Sequence, residues 1–467
     1  MLFDRSIIRQ THPDYNHFLT DWLFFDRSYI GGKDWITETN VFRHARETKE
    51  DYQRRLNRVV YTNYCEAVIT IFTSYLFSGK PPIMRDLSVP GVNDFYADVD
   101  ERGATMQDFM EDVATDAQIF GMVGVTVDLP KTDVEIRTEA DARANNIRPY
   151  LRSYDSPSIT NWSVDASGKL NWVRLKESKR DDADPFAKIK KDAAIYRTLT
   201  REEWYIHDEG GKEIDFGVYG LGEVPFVPIY FKKHRRKRMI GISQLCDIAR
   251  INRLLVNIIS FIEEFIEIQA FPFLAAPLGI AGADEDTVIS TKHIFEYPPE
   301  GSPPLYVSPP TDPARFMVEF ISGFLRKEIY RMAKLESREL MEQSGVAKQY
   351  DFHQTSSAIG RFARNLEFGE NQIMTLWARW QGQEWDNSTD YPDDYDIAPV
   401  NDDLKTALDV RDLYGDASPT FVSEYLKGLA SKIKPKLAEE LMRVIEGELE
   451  QNAAESAQEG AFDKETS

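Results

Sequence analysis

Residues 241–268, GISQLCDIARINRLLVNIISFIEEFIEI, and residues 313–336, PARFMVEFISGFLRKEIYRMAKLE, flank a short Pro- and Gly-rich insert. In the first stretch Leu245, Ile248, Leu255, Ile258, Ile259, Ile262 and Ile266 recur at three- and four-residue steps. In the second, Phe316, Phe320, Phe324, Leu325, Ile329 and Met332 do the same. That spacing puts the apolar side chains on one face of each helix. At 1.5 Å per residue each helix would run roughly 35–40 Å, the side of a column rather than a patch of core. Between them, Ala276-Pro277-Leu278-Gly279 and Pro309-Pro310 stop the helices, while Val288-Ile289 and His293-Ile294-Phe295-Glu296-Tyr297 read as short strands. A helix pair carrying a small β head suggests an element that stacks in a ring and not one that lines a catalytic cleft.

The chain has 467 residues, enough for a full core and for two or three domains. Its 42% apolar and 28% charged content is that of an ordinary soluble protein, but the net charge of −21 is not ordinary. Such acidity argues against tight, non-specific nucleic-acid binding over the whole surface, because phosphates seek basic footprints. Cys65 and Cys246 lie far apart within apolar patterns, which reads as two reduced, buried thiols in a cytosolic setting. The start Met1-Leu2-Phe3-Asp4-Arg5 has no apolar signal core and gives no sign of secretion. Glu263, Glu264 and Glu267 interrupt the most hydrophobic helix, so no membrane span is expected there.

Outward from the helix pair, the pattern is α+β. Lys49–Phe77 reads as one continuous helix ended by Gly79-Lys80-Pro81-Pro82, and Thr105–Phe120 as another opened by Thr105. The strand Gly124–Leu129 follows. Residues 150–230 switch to alternation, with strands at Leu170–Leu175, Ala194–Leu199 and Trp204–His207 and a polar hairpin around Gly210-Gly211. The prolines in Val224–Tyr230 mark an edge strand, since they cannot donate to a ladder. Residues 337–354 read as a loop. From Ser356 to Trp380 a stripe of Ile359, Phe362, Ala363, Leu366, Ile373, Met374 and Trp377 predicts a helix. The segment 390–403 is acidic and broken by proline, residues 402–449 hold two or three short helices, and 450–467 has a disordered, acidic composition. No internal repeat is visible.

No phosphate-binding Gly loop, paired-Cys zinc site, His-Glu-x-x-His helix or serine elbow is present in the sequence. Gly121-Met122-Val123-Gly124 lacks the lysine a phosphate cradle needs and reads as a turn entering a strand. The seven histidines are scattered, and the Asp390, Asp393, Asp394, Asp396 cluster misses the spacing of a calcium loop. The sequence therefore offers no enzyme, no metal and no cofactor. One segment runs against the overall charge: Lys232, Lys233, Arg235, Arg236, Lys237 and Arg238 lie within seven residues. It is either a solvated loop before a helix or a phosphate-binding patch, in which each cation displaces roughly one counterion from duplex DNA.

An ordered series of short segments resembles the portal proteins of tailed bacteriophages, from about residue 40 to 450. The series runs from Tyr52-Gln53-Arg54-Arg55-Leu56 to the break Phe77-Ser78-Gly79-Lys80-Pro81-Pro82, then to Phe120–Asp128. It continues through Val224-Pro225-Phe226-Val227-Pro228, Gly241-Ile242-Ser243-Gln244-Leu245, Ile251-Asn252-Arg253 and Gln354-Thr355-Ser356-Ser357-Ala358. No single piece is specific; the order and spacing are. The resemblance implies a ring, typically of twelve subunits, at one capsid vertex, through which double-stranded DNA is packaged and ejected. It would place an α/β wing at 1–240 and 355–400 and a two-helix stem at 241–275 and 311–336. A β clip would occupy 276–310, a tunnel loop 337–354, and a helical crown with an acidic tail 401–467.

On this resemblance the clip residues Ile289, His293, Phe295 and Tyr297 would dock the terminase large subunit and later the head–tail adaptor. Glu339, Glu342, Gln343, Ser344, Lys348 and Gln349 would face DNA from the tunnel loop, in a mixture suited to sliding and not to grip. Glu263, Glu264 and Glu267 would line the channel, where acidity repels phosphates, or meet a neighbouring subunit. The basic run 232–238 would touch DNA, capsid shell or scaffold, or pair with acidic residues of a neighbouring subunit, the option ranked first. Major capsid protein and scaffold are further implied partners, the virion is the implied location after assembly in host cytoplasm, and no membrane is implied. The insert is short for a clip, so a neighbour's strand would complete it. Two other readings stay open: a soluble enzyme with no recognisable motif, and a different structural connector of a phage particle. Size and symmetry of the assembly separate the three.

Overall fold

The computed structural model describes residues 5–77, 82–130, 147–179, 192–270, 273–275, 305–307, 312–335, 345–386, 389–392 and 395. Helices and two larger antiparallel sheets are combined, an α+β chain. It divides into two compact units: Met1–Asp26 with Ala67–Cys246 and Lys334–Ser467, and Arg27–Glu66 with Asp247–Ala333.

In the first unit, helix α6 (Met106–Phe120) begins where Thr105 and Asp108 satisfy each other's backbone N–H groups as a capping box. It ends at Gly121, whose φ of 85° is the left-handed conformation that glycine adopts without a Cβ penalty. Strand β1 (Met122–Asp128) follows at once and is the centre of a three-stranded sheet. Its antiparallel neighbours are β2 (Tyr150–Asp155) and β8 (Phe226–Tyr230). β8 is an edge, as Pro225 and Pro228 require. A five-stranded meander carries β3 (Ile159–Val164), β4 (Leu170–Lys179), β5 (Ala193–Thr200), β6 (Glu203–Asp208) and β7 (Glu213–Val218) in chain order. Asp128 of β1 and Glu177 of β4 both hold Arg197 of β5, the latter at 3.2 Å, which ties the two sheets by charge. The long helix α10 (Gly345–Trp380) packs on β8 and β1. Ile359, Phe362, Ala363, Leu366, Ile373, Met374 and Trp377 are all at most 2% exposed, as the stripe requires.

In the second unit, α2 (Gly32–Trp35) and α3 (Lys49–Arg58) accompany the larger part of α7 (Leu245–Ala270). The insert closes at its base with β9 (Phe273–Ala275) antiparallel to β10 (Leu305–Val307). The return path is α8 (Asp312–Phe320), a π turn at Ile321–Leu325, and α9 (Arg326–Ala333). The π turn holds Ser322-Gly323, where the Ser322 hydroxyl donates to the Val318 carbonyl at 3.0 Å.

The structure departs from the sequence reading in four places. The segment 49–77 is two helices, α3 and α4 (Tyr64–Phe77), not one. The β-branched Val59-Val60 leaves the helix, Asn63 accepts the Glu66 N–H at 3.0 Å, and the Tyr61 hydroxyl donates to the Ser28 carbonyl at 2.6 Å. Helix α10 starts at Gly345, so the loop read for 337–354 stops there, because no breaker follows Gly345. Helix α1 (Pro13–Ile30) has no counterpart in the sequence reading, while β2 and β3 fall within the 150–230 region read as β. Cys65 is buried, where burial pushes its thiol up to about 12, whereas Cys246 is only half-buried.

One half-buried acid makes stability depend on pH. Burial, with Asp155, Asp112 and Asp26 nearby, pushes the Asp116 carboxyl up to about 7. The folded chain therefore holds a proton that the unfolded chain releases near pH 4, and stability is lost as pH rises through that window towards 7. Asp116→Asn is expected to be near neutral at pH 4 and to stabilise by about 1–3 kcal/mol at pH 8. Thermal melts at the two pH values check this; an equal difference at both would refute it.

Candidate functional site

Helix α7 buries Leu245, Ile248, Leu255 and Val256 but leaves Leu254 and Ile266 exposed, Ile266 at 60%. On α8 no residue is buried. Phe316 is 67% exposed, Val318 51% and Phe324 51%. The rings of Phe316 and Phe320 stack at 6.2 Å, and those of Phe320 and Phe324 at 5.3 Å, so the i, i+4 spacing builds an aromatic ladder along an open helix face. Lower down, Leu325, Ile329 and Ala333 are buried, and Tyr330 meets Tyr64 edge-on at 6.4 Å. The apolar stripe is real along both stretches; a single chain covers only part of it.

The buried side of α7 also carries polar residues, Asn252, Asn257 and Ser260, among its apolar ones. Asn252 donates to the Tyr61 hydroxyl at 2.8 Å, Asn257 to the Asn40 carbonyl at 2.8 Å, and Ser260 accepts from Arg55 at 2.9 Å. Arg55 is 2% exposed, and Glu47 grips it with both carboxylate oxygens at 2.8 and 2.9 Å. Its guanidinium also lies 4.6 Å from the Phe261 ring centroid. These polar residues were visible only as interruptions in an apolar pattern; which partner each meets is not a local property. Of the three glutamates on α7, Glu264 lies 3.7 Å from Arg55, Glu267 pairs with Arg58, and Glu263 is exposed.

The basic run sits in the first unit as a closed loop. The Lys233 backbone bridges to Gly241, the His234 N–H donates to the Ile240 carbonyl at 3.1 Å, and Ile242 donates to Lys232 at 2.8 Å. Within the loop, the Arg236 and Lys237 N–H groups donate to His234 Nδ1 at 3.2 and 3.0 Å. Lys237 reaches Asp14 at 2.6 Å. All of the run except Lys232 lines a cavity of about 1020 Å³, which Lys169, Arg201 and Arg379 also enter. Those three come from β4's leading turn, the β5–β6 turn and α10, and no local signal in the sequence connects them.

Glu339, Glu342, Gln343 and Ser344 lie outside the described residues, as do Ile289, His293, Phe295 and Tyr297. Lys348 and Gln349 fall in the first turns of α10. Among the described residues no group of three potential metal ligands gathers, and no helix is long and apolar enough to cross a membrane.

No family model and no curated protein sequence matches the chain. Among solved structures it is similar to a chain in the neck of an empty GTA particle computed with C6 symmetry, at 12% identity and a TM-score of 0.41. The match covers 90% of this chain and 99% of that one. Similarity that low leaves function to be argued from the residues themselves.

Proposed function

We propose that the chain is a portal-type subunit, one of a ring of typically twelve that forms the channel for double-stranded DNA at one capsid vertex. One observation carries the reading: long helices either side of a β-based insert keep an aromatic face open in the isolated chain. Phe316 and Val318 on α8 and Phe324 in the π turn after it are each more than half exposed, which costs solvation free energy unless another surface covers them. In a ring every subunit supplies that surface to the next, since a heterologous contact closes by rotation. On this reading α7, α8 and α9 are the stem, and residues 276–310 are the clip that docks terminase and then the adaptor. Residues 337–344 retain the tunnel-loop role, with Lys348 and Gln349 at the start of the helix that follows, and 401–467 form the crown. The sheets of the first unit belong to the wing. Glu263 is left as the stem carboxylate free to face the channel or a neighbour.

Size-exclusion chromatography with light scattering, followed by negative-stain imaging, tests this. Rings with a central hole and a mass near twelve subunits are expected. Phe316→Asp with Phe324→Asp should abolish them while leaving the far-UV circular dichroism and melting of the monomer within about 0.5 kcal/mol of wild type, as exposed positions do. A wild-type chain that stays monomeric across protein and salt concentrations would overturn the proposal.

A further inference from the structure

Among the described residues, the cavity under the 232–238 loop gathers positive charge in a chain whose net charge is −21. Eight Lys and Arg side chains line it, against the single carboxylate of Glu223. Three of the eight are paired: Arg201 with Asp165 at 2.9 Å, Lys237 with Asp14 at 2.6 Å, and Arg379 with Glu223. Lys169, Arg235, Arg236 and Arg238 make no ion pair among the described residues, and Lys233 instead lies over the rings of Tyr230 and Phe368 at 5.2 and 5.6 Å. A protein with 77 acidic residues could readily neutralise five cations from its own surface. Among the described residues these five find no carboxylate partner, four of them on a loop fixed by its own backbone bonds, at a Coulombic cost that an anionic ligand would relieve.

We infer that this cavity is a binding site for the phosphodiester backbone of nucleic acid, distinct from any passage through a ring. Its cations favour phosphate as the ligand. Val224, Phe226, Met239 and Ile240 form part of the lining and are each at most 6% exposed, while Val164, Leu170, Pro228 and Tyr230 add half-buried apolar surface beside the guanidinium and ammonium groups. Phe368, 58% exposed, has the Lys233 ammonium over its ring. A sugar–phosphate strand needs charge and N–H donors, which this cluster supplies. Arginine forks match phosphate oxygens, and a cavity of about 1020 Å³ has room for several consecutive phosphates. The site would position a strand without reading its bases, because no side-chain amide besides Gln372 lines it.

The inference rests on the first unit alone and stands whether or not the chain forms rings. The test is fluorescence anisotropy of the full chain with a labelled mixed-sequence duplex between 50 and 200 mM salt. Wild type is expected to bind with Kd of the order of micromolar at the lowest salt and to weaken steeply with added salt. Arg235→Ala with Arg236→Ala and Arg238→Ala should cut affinity at least tenfold and lower the log–log salt slope by about 2–3. A control variant, Lys33→Ala with Lys49→Ala and Lys212→Ala, removes equal charge at exposed positions elsewhere and should bind as wild type. Circular dichroism melts confirm that both variants fold. No binding by wild type, or equal losses in the two variants, overturns the inference. So does displacement of the duplex by polyglutamate as effectively as by unlabelled duplex at equal charge, which would assign the cavity to an acidic peptide. Light scattering on the same arginine variant separates the remaining possibility: weakened ring assembly with an unchanged salt slope returns the loop to a contact between subunits.

Discussion

Arg85→Ala is expected to destabilise the first unit by about 3–5 kcal/mol, the cost of stranding a buried charge. Arg85 meets Glu370 in a two-pronged pair, Nε to Oε1 at 2.6 Å and Nη2 to Oε2 at 3.1 Å. Glu370 is 0% exposed, and its second oxygen also accepts the Tyr391 hydroxyl at 2.7 Å. Burial, the largest single influence, would lower the Arg85 pKa, but the charge and hydrogen bonds of Glu370, with Tyr391 and Tyr96 nearby, together outweigh it and raise the pKa, so the guanidinium stays charged. Burial and the same carboxylate hold the Tyr391 phenol well above its ordinary value. Removing the arginine leaves a carboxylate with one neutral donor in a dry site. Urea denaturation followed by circular dichroism reads the loss. The double variant Arg85→Met with Glu370→Leu should recover most of it, because two apolar side chains carry no desolvation penalty. A single-variant loss under about 1 kcal/mol would mean that water reaches the pair in solution.

Gly241→Val is expected to cost at least about 3 kcal/mol and to leave little folded protein at 37 °C. A Cβ at Gly241 would stand 1.9 Å from the Gly121 carbonyl oxygen and 2.1 Å from its carbon. The clash is reciprocal, since a Cβ at Gly121 would lie 2.5 Å from the Gly241 carbonyl carbon. Backbone meets backbone at this crossing, so no side chain can swing aside. Hydrogen bonds hold the two strands of chain together: the Phe231 N–H donates to the Gly121 carbonyl at 3.0 Å, and the Gln244 N–H and Ser243 hydroxyl donate to the Gln118 carbonyl at 2.9 and 3.1 Å. The crossing therefore sets where the 232–238 loop leaves the sheet and where α7 begins. Gly220→Ala, at a glycine with open space around its Cα, should melt within about 1 kcal/mol of wild type and serves as the comparison. Equal melting of Gly241→Val and Gly220→Ala would show that the crossing opens in solution.

Local chemistry accounts for what was legible in the sequence. The stripe from Ile359 to Trp377 is buried throughout because helical period is written within a few turns. The Thr105 cap and the edge position of Pro228 are equally local, since each follows from what one backbone can donate or accept. The apolar stripe of α8 was also legible, but not that its aromatic part would remain open on a single chain. The split between α3 and α4 depends on the Tyr61 hydroxyl finding Ser28, and helix propensity alone ran through it. Three further features belong wholly to the tertiary structure: the Arg85–Glu370 pair across 285 positions, the Gly121–Gly241 crossing, and the convergence of Lys169, Arg201 and Arg379 on the basic loop. Each joins residues from different elements. Sequence by itself determined the periodic helices and the alternating strands, though not α1 or the break between α3 and α4, and that residues 232–238 would be charged. Only the packed fold decided which charges are neutralised and which are not, because Coulombic and steric terms depend on distance in space and not on separation along the chain.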